Sequence, residues 1–201
     1  MGTEVANGDG SSNCGNVAGG DGGSKAIYEK LMSYAFFVLG VRRSTSHEMR
    51  EKLKRRCKEK FGSQRFAEQS AKKIVSPEAQ TAIECVINRL TELKYLNDEE
   101  YLADFVRNRL ALKPRGIGAL KYELRKKGIS QAAIEKYFSE NEIDEMEVAG
   151  RITESKLARM KRVPEQKKFS KIAMLLNSRG FKPHTIYEIL NNLKNGKTTN
   201  D

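Results

Sequence analysis

The sequence predicts an all-α protein, built as a tandem array of three-helix repeats that is elongated and curved. From Ile27 onward, apolar residues recur at steps of three and four, and no useful segment alternates with the period of two that a strand requires. A corner of helix, glycine and helix also recurs, because 124–129 with Ile134 aligns without a gap with 176–181 and Ile186. Such a fixed offset is typical of an internal repeat, with coincidence of one short corner as the alternative.

Both ends of the chain differ in composition from the rest. Residues 1–25 are mostly glycine, asparagine, aspartate and serine, so we expect a disordered tail there and a second one at 196–201. The N-terminal segment contains acids and no arginine, unlike an organellar transit peptide. The longest apolar run, 35–39, is too short to cross a bilayer, so we expect a soluble chain with no membrane contact.

The first repeat is predicted at 26–96. Its first helix, about 26–40, has one apolar stripe, and a capping box of Thr45 and Glu48 begins the second helix. An irregular insert follows at 58–76, as a loop or a partial extra helix. Pro77 suits the first turn of the third helix, whose apolar positions are Ile83, Val86, Ile87, Leu90 and Leu93.

The second repeat is predicted at 97–142. Asn97 or Asp98 caps its first helix, and acids in the first turn complement the helix dipole. The segment 113–116 breaks that helix, and Gly128 ends the next one. Ser130 then caps a short third helix. The third repeat, 143–195, follows the same order: a charged helix to Val163, a second from Pro164 to Gly180, and a third from Lys182 to Leu193.

Positive charge is concentrated in each repeat. The chain has 37 Lys+Arg against 26 Asp+Glu, a formal net charge of +11. Segment 42–60 has nine cations and three acids, 107–127 has eight and one, and 151–171 has eight and two. Such patches favour an elongated polyanion, because each neutralised phosphate releases counterions. The alternative is a solvated surface that serves solubility.

Helical spacing refines this expectation in the second repeat. Lys121 and Arg125 lie four residues apart beside the buried stripe, so they form a row near the exposed face. Arg107 from the preceding helix, with Lys113 and Arg115 from the loop, completes a group that could clamp a nucleic-acid backbone without reading bases. The third basic group, with Lys156, Arg159, Lys161 and Arg162, lies on a helix with few apolar residues. We expect that helix to be partly free of the core and to contact a partner through something other than phosphate.

Other functional classes find little support in the sequence. Cys14, Cys57 and Cys85 are an odd number without C-x-x-C spacing, and His47 and His184 are far apart, so we expect no disulfide framework and no metal. No Gly-rich phosphate loop, Ser/His/Asp order or paired-carboxylate motif stands out, and acids such as 98–100 are explained by helix capping, so we expect no enzyme and no cofactor. Base stacking is unsupported because most aromatic residues lie at positions expected to be buried: Phe36, Phe37, Tyr101, Phe105, Tyr137, Phe138, Phe169 and Phe181.

The central segment carries a family resemblance. Residues 90–109, Gly116 and 123–129 resemble, in order and spacing, the signature of the RecX family of RecA recombinase regulators. Weaker similarity extends to 42–53 and 175–181. The resemblance implies helical repeats lying in the groove of a RecA filament on single-stranded DNA, which inhibit its ATPase and strand exchange without catalytic residues or cofactor. It also implies roles in recombination, DNA repair and the SOS response.

Three features depart from the family pattern. Lys94 occupies a position that is commonly glycine, the insert at 58–76 is longer than usual, and the Gly/Asn-rich N-terminus is foreign to compact bacterial members. We expect a cytoplasmic protein, and these departures allow the alternative of a eukaryotic homologue from a plastid or mitochondrion that lacks its transit peptide. We expect a monomer whose partners are a RecA-type recombinase filament and single-stranded DNA, with no small-molecule substrate.

The expected filament-binding or nucleic-acid-binding residues are Arg42, Arg43, Lys54, Arg107, Arg109, Lys113, Arg115, Lys121, Arg125, Lys126, Lys127, Lys156 and Arg159. Two other functions remain open. A stand-alone basic DNA- or RNA-binding module would show steep salt dependence on bare nucleic acid and sensitivity to charge reversal at Lys121 and Arg125. An interaction-only scaffold would tolerate those reversals.

Overall fold

A computed structural model describes residues 22–60 and 75–196, and the prediction of an all-helical protein is confirmed for them. Nine α-helices and no strands occur in these two ranges. The helices are α1 Gly22–Val41, α2 Ser46–Lys60, α3 Pro77–Glu92, α4 Asp98–Leu112, α5 Ile117–Lys126, α6 Gln131–Glu140, α7 Glu145–Ala158, α8 Glu165–Ser178 and α9 Pro183–Lys194.

Several predicted boundaries are wrong within the described residues, and one of them is the end of the charged helix, since α7 ends at Ala158 and not at Val163. Helix α1 begins at Gly22, so the expected tail 1–25 ends in helix, and Gly40 lies inside this helix instead of ending it. Helix α2 continues to Lys60, because Lys58, Glu59 and Lys60 are good helix formers. The remainder of the expected tails and insert, at 1–21, 61–74 and 197–201, lies outside the described residues.

The chain divides into two compact units between Asn97 and Asp98. In the first unit, α1, α2 and α3 pack on one another around a core that includes Leu31, Met49, Leu53, Ile83 and Leu90. Burying such side chains is worth about 1.5–3 kcal/mol each, which is what holds three short helices together. No helix in the described ranges is long and apolar enough to cross a membrane.

The second unit contains two clusters of buried residues. Helices α4, α5 and α6 enclose Leu102, Val106, Leu120, Leu124, Ile129 and Ile134. Helices α7, α8 and α9 enclose Val148, Ala149, Ile152, Met160, Ile172, Leu176, Phe181 and Ile189. The side chains of Leu110 and Ile143 pack against both clusters, so the second unit has a connected interior.

Side-chain caps fix where several helices start. The hydroxyl oxygen of Thr45 accepts a hydrogen bond from the Glu48 amide at 3.0 Å, as the capping box predicts. Ser76 caps α3 with Pro77 in its first turn, and Ser130 caps α6 through the amide of Ala133. The Asp144 carboxylate accepts from the Met146 and Glu147 amides and so begins α7.

Three helix ends have the same corner. Gly128 and Gly180 have φ of 78° and 74°, so both predicted helix stops are left-handed, and the next amide returns to the carbonyl oxygen four residues before the glycine. Lys94 after α3 has φ 59° and the same bond, from Tyr95 N to Leu90 O at 2.9 Å. It is the only non-glycine residue with positive φ in the described ranges. Lys94 therefore occupies the helix-stop position that glycine fills in the other two corners.

Candidate nucleic-acid interface

The basic segment 107–127 spans the end of α4, the following loop and α5. Its eight cations divide by exposure, which decides how accessible each is to a phosphate. Four are exposed, namely Arg107, Lys113, Arg125 and Lys126, and four are half-buried, namely Arg109, Arg115, Lys121 and Lys127.

The Glu123 carboxylate engages two of the half-buried cations. Its Oε2 accepts a hydrogen bond from Nε of Arg109 at 2.9 Å, and its Oε1 lies 3.1 Å from Nη1 of Arg115. The Arg109 guanidinium also lies 5.2 Å from the centre of the Phe105 ring. Because the Glu123 side chain is only 18% exposed, water screens this cluster less than an open surface pair. Arg109 and Arg115 therefore join α4, the loop and α5.

Lys121 and Arg125 both contact α6. The Lys121 ammonium pairs with the Glu135 carboxylate and lies 5.2 Å from the centre of the Phe138 ring. Nη1 of Arg125 donates a long hydrogen bond of 3.4 Å to the Gln131 side chain. A phosphate would have to displace Glu135 from Lys121, whereas Arg125 is exposed and forms no ion pair within the described ranges.

The expectation that most aromatic rings are buried is wrong. Of the eight rings named above, only Phe181 is buried, and Phe37 is 70% exposed. Tyr101, Phe105, Tyr137 and Phe138 pack against the core of α4–α6 but are only partly buried there. A lysine lies over two of these rings: the Lys127 ammonium is 5.4 Å from the centre of the Tyr101 ring and 5.8 Å from that of Phe105. Stacking a base on either ring would displace this cation.

Tyr122 and Lys126 form a similar pair on α5. The Lys126 ammonium lies 4.7 Å from the centre of the Tyr122 ring, and both side chains are exposed. Lys126 follows Arg125 in the last turn of the helix, where cations also complement the helix dipole. The C-terminal turn of α5 therefore presents two adjacent cations to solvent.

Three of the expected binding residues lie in the first unit, and they differ in their exposure and contacts. Arg42 and Arg43 follow α1 and are both exposed. Lys54 lies on α2, 3.0 Å from the Glu51 carboxylate one turn earlier. The Lys54 hydrogen bond is the main reason that the pKa of Glu51 is lowered from its ordinary value. A neighbouring arginine, Arg50, is bound through Nε and Nη2 to the Glu84 carboxylate on α3.

Lys156 and Arg159 lie near the C-terminal end of α7, and the prediction that this helix is partly free of the core is wrong. Helix α7 buries Val148, Ala149, Gly150, Ile152 and Thr153. Small residues allow this close packing, although they contribute little to an apolar pattern in the sequence. Lys156 and Arg159 line a cleft of about 410 Å³ together with Arg151 and Arg179.

Arg179, which directly precedes the corner at Gly180, lines this cleft and is held by two backbone contacts. The Gly116 amide donates to the carbonyl oxygen of Arg179 at 3.0 Å, and Nη1 of Arg179 donates to the carbonyl oxygen of Pro114 at 3.1 Å. The Glu145 carboxylate accepts from the amide of Ile117 at 2.9 Å and so satisfies an open donor at the start of α5. The start of α5 is thereby fixed to both α7 and the α8–α9 corner.

Sequence reasoning did not identify three polar residues that organise these surfaces. Glu123 is the single acid of the segment 107–127, and that isolation was the available signal. Glu145 was visible only as an acid in the first turn of α7, although it acts on α5. Arg179 directly precedes a helix-stop glycine. Within 22–60 and 75–196, no group of three or more His, Cys, Asp and Glu residues could hold a metal ion.

Comparisons with known proteins identify similar sequences. A family model described as "RecX, second three-helix domain" matches residues 97–137. The chain is 31% identical over 126 residues to a "Regulatory protein RecX" of Salmonella newport, covering 63% of this chain and 69% of that protein. It is 29% identical over 159 residues to one of Pelodictyon phaeoclathratiforme, covering 79% of this chain and 86% of that protein.

Two solved structures have a similar fold. The crystal structure of RecX from Lactobacillus salivarius matches with a TM-score of 0.62 at 22% identity, covering 84% of this chain and 97% of that one. A second structure, titled "Crystal structure of regulatory protein RecX", matches with a TM-score of 0.60 at 21% identity, covering 83% and 73%. At these identities the structural likeness establishes the fold.

Proposed function

The chain belongs to the RecX family, and we propose that it regulates a RecA-type recombinase by binding the filament that the recombinase forms on single-stranded DNA. Its role as a regulatory protein of the RecX type follows from the similarity to relatives that carry this name. The filament, the DNA and an inhibitory effect are our proposal, as is a part in recombination and DNA repair. We also propose that α1–α3, α4–α6 and α7–α9 are three copies of one repeat.

One observation supports this function most directly. In the segment 107–127, the half-buried cations Arg109, Arg115 and Lys121 are bound to a carboxylate of another element, whereas three of the exposed cations are bound to no carboxylate within the described ranges. Arg109 and Arg115 share Glu123, whereas Lys113 is exposed and forms no ion pair within the described ranges. Arg125 and Lys126 are likewise exposed and bound to no carboxylate there. We call Lys113, Arg125 and Lys126 the central basic residues, and propose that they contact backbone phosphates.

The arrangement favours backbone contact over sequence reading. Cations on short helices and a loop can neutralise phosphates, which increases affinity without distinguishing bases. Cations lie over Tyr101, Phe105 and Tyr122, so these rings are not bare stacking platforms. A regulator that acts wherever a filament forms has to bind without sequence preference. Phosphate contacts without base stacking are consistent with that requirement.

The test is recombinase ATP hydrolysis on single-stranded DNA, titrated with the wild-type protein and with Arg125→Glu/Lys126→Glu. We expect the wild type to inhibit well below the amount that coats the DNA, and the variant to require about tenfold more protein. The matched control is Lys167→Glu/Lys171→Glu, which makes the same charge change at exposed positions of α8. Lys121 is unsuitable for this test, because Lys121→Glu would place two carboxylates together at Glu135.

Each other outcome has a definite meaning. No inhibition by the wild type at any ratio would contradict the proposed function. Inhibition only when the protein is abundant enough to coat the DNA would favour a stand-alone nucleic-acid-binding module. Equal weakening in the α8 control would mean that net charge, and not the central basic residues, governs binding.

A further inference from the structure

The cleft beside α7 combines positive charge with apolar walls. Its volume is about 410 Å³, and its lining comes from the end of α4, the loop after it, α7 and the end of α8. Four cations line it, namely Arg151, Lys156, Arg159 and Arg179, and no acid does. Like charges collected in a concave surface raise the local concentration of anions. The cleft is therefore suited to a negatively charged ligand.

These cations retain capacity to bind. Lys156 and Arg159 form no ion pair within the described ranges. Arg151 lies 3.7 Å from Glu147, one turn earlier on α7, with both side chains more than half exposed, so that pair is weak. The Arg179 guanidinium donates to the carbonyl oxygen of Pro114, a neutral partner that leaves its charge uncompensated and its orientation fixed.

The apolar lining distinguishes between classes of anion. Leu110, Leu112, Ile152 and Leu175 line the cleft beside the cations, and Leu112 is 80% exposed. A sugar–phosphate backbone offers only small C–H surfaces to place against leucines, and no aromatic residue in the lining offers a base a ring to stack on. A peptide with acidic and apolar side chains matches both parts of the surface. Burial of its apolar side chain would add to the charge attraction.

We propose that this cleft binds an acidic peptide segment that carries an apolar side chain and belongs to the partner protein. The inference rests on the proposed function for the identity of that partner, which would be the protein component of the filament. The central basic residues would contact DNA phosphates, and the cleft would contact protein carboxylates. Two chemically different contacts would make binding to protein-coated DNA tighter than binding to either component alone.

The experiment measures fluorescence anisotropy of a labelled decapeptide that alternates glutamate and leucine, with the full chain and no recombinase. We expect Lys156→Glu/Arg159→Glu to weaken binding about tenfold or more, since two attractive charges become repulsive. Lys167→Glu/Lys171→Glu, with the same charge change outside the cleft lining, should weaken it by less than about threefold. Leu112→Ser tests the apolar wall and should weaken binding about threefold or more. Its exposure makes misfolding a poor explanation for that loss.

Two control ligands decide the class of partner. A decapeptide with glutamine in place of glutamate should bind at least about tenfold more weakly than the acidic peptide. Equal binding of these two peptides would overturn the proposal, as would no binding of the acidic one. A twenty-nucleotide oligothymidylate should lose little affinity in Lys156→Glu/Arg159→Glu. If instead the oligonucleotide loses affinity and the peptide does not, the cleft is a nucleic-acid site and the proposal is wrong.

The peptide assay and the ATPase assay can fail separately. A chain that inhibits the recombinase but does not bind the acidic peptide would refute the cleft proposal alone. A chain that binds the peptide through Lys156 and Arg159 but leaves the recombinase unaffected would refute the proposed function alone. In that case the acidic peptide would belong to another partner.

Discussion

The backbone of Gly116 lies directly against the carbonyl group of Gly180. A Cβ atom on residue 116 would come within 2.2 Å of the Gly180 oxygen and 2.6 Å of its carbonyl carbon. The Gly116 amide also donates to the carbonyl oxygen of Arg179 at 3.0 Å. Only a residue without a side chain permits this approach. The start of α5 is therefore held against the α8–α9 corner by backbone contact.

Gly116→Ala should destabilise the second unit because the new methyl group meets backbone that cannot move aside. We expect a loss of about 1–3 kcal/mol in the free energy of unfolding. Gly118→Ala is the matched control, since residue 118 lies in α5 and the nearest atom to its added Cβ, the Gly180 oxygen, is 4.0 Å away. That change should stabilise by about 0.5–1 kcal/mol, because alanine is the better helix former. Urea denaturation of both variants measures the difference, and equal effects would contradict the contact.

The ion pair of Glu123 with Arg109 should contribute a measurable interaction energy to stability, unlike ion pairs on the open surface. A double-mutant cycle of Arg109→Gln and Glu123→Gln should give about 0.5–1.5 kcal/mol of interaction energy, because Glu123 is mostly shielded from water. The same cycle at Arg151 and Glu147, which are 58% and 65% exposed, should give at most about 0.5 kcal/mol. Thermal or urea unfolding measures both cycles. If they agree, the cluster is an ordinary surface interaction.

The buried thiols should be unreactive until the chain unfolds. Cys57 and Cys85 are both 2% exposed, and burial raises the pKa of the Cys57 thiol above its ordinary value. In a Cys14→Ser chain, a disulfide reagent at pH 8 should react slowly with the native protein and rapidly with both thiols in denaturant. Fast labelling of the native chain would contradict the burial of these residues.

The same pKa has a consequence for stability. The folded state holds the Cys57 proton more tightly than the unfolded state does. The contribution of this protonated thiol to the free energy of unfolding is therefore complete below the ordinary thiol pKa of about 8.5. It is lost as the pH rises through the higher folded value. The free energy of unfolding of the Cys14→Ser chain should therefore fall more steeply above pH 8.5 than that of a Cys14→Ser/Cys57→Ala chain. Parallel curves would show that Cys57 titrates alike in both states.

Several helix ends and starts could be predicted from the sequence because they depend on residues a few positions apart. The capping oxygens of Thr45 and Ser130 and the left-handed Gly128 and Gly180 all lie where the pattern places them. The basic segment 107–127 could also be identified, because the sequence alone shows where cations are concentrated. Which cations are available was not predictable, because Glu135 reaches Lys121 from another helix.

Contacts between distant positions account for the other errors. The packing of α7 depends on Ala149 and Gly150, which allow close approach but add little to an apolar stripe. Glu145 acts on the amide of Ile117, 28 residues away, and no local pattern indicates that bond. The cleft is formed by segments from α4, α7 and α8, so its residues come together only in the folded chain.

The central basic residues should determine the salt dependence of DNA binding. The logarithm of the affinity falls as the logarithm of the salt concentration rises, and on a single strand each phosphate contact makes that fall steeper by about 0.7. Arg125→Gln and Lys126→Gln should each make it shallower by about this amount on bare oligothymidylate. Arg109→Gln is the comparison, because its guanidinium is already bound to Glu123, and it should change the slope little. A larger change for Arg109 would mean that the phosphate displaces Glu123.

Lys94 should be a site where glycine stabilises the protein. Its φ of 59° is left-handed, and the flanking bonds repeat those of the Gly128 and Gly180 corners, so the backbone demands this conformation whatever residue is present. A non-glycine residue in this conformation costs about 1–2 kcal/mol of stability. Glycine avoids that cost, but it also raises the conformational entropy of the unfolded chain, which cancels part of the gain. Lys94→Gly should therefore raise the free energy of unfolding of the first unit by about 0.5–1 kcal/mol.

Substitutions at the same exposed position provide the control. Lys94→Ala should be close to neutral because alanine bears the same Cβ strain, and Lys94→Ile should lose about 1 kcal/mol because β-branched residues tolerate positive φ poorly. Urea denaturation across the three variants should therefore rank glycine above lysine and alanine, with isoleucine last. If alanine stabilised as much as glycine, loss of the lysine side chain would be the cause. The left-handed corner would then not be the source of strain.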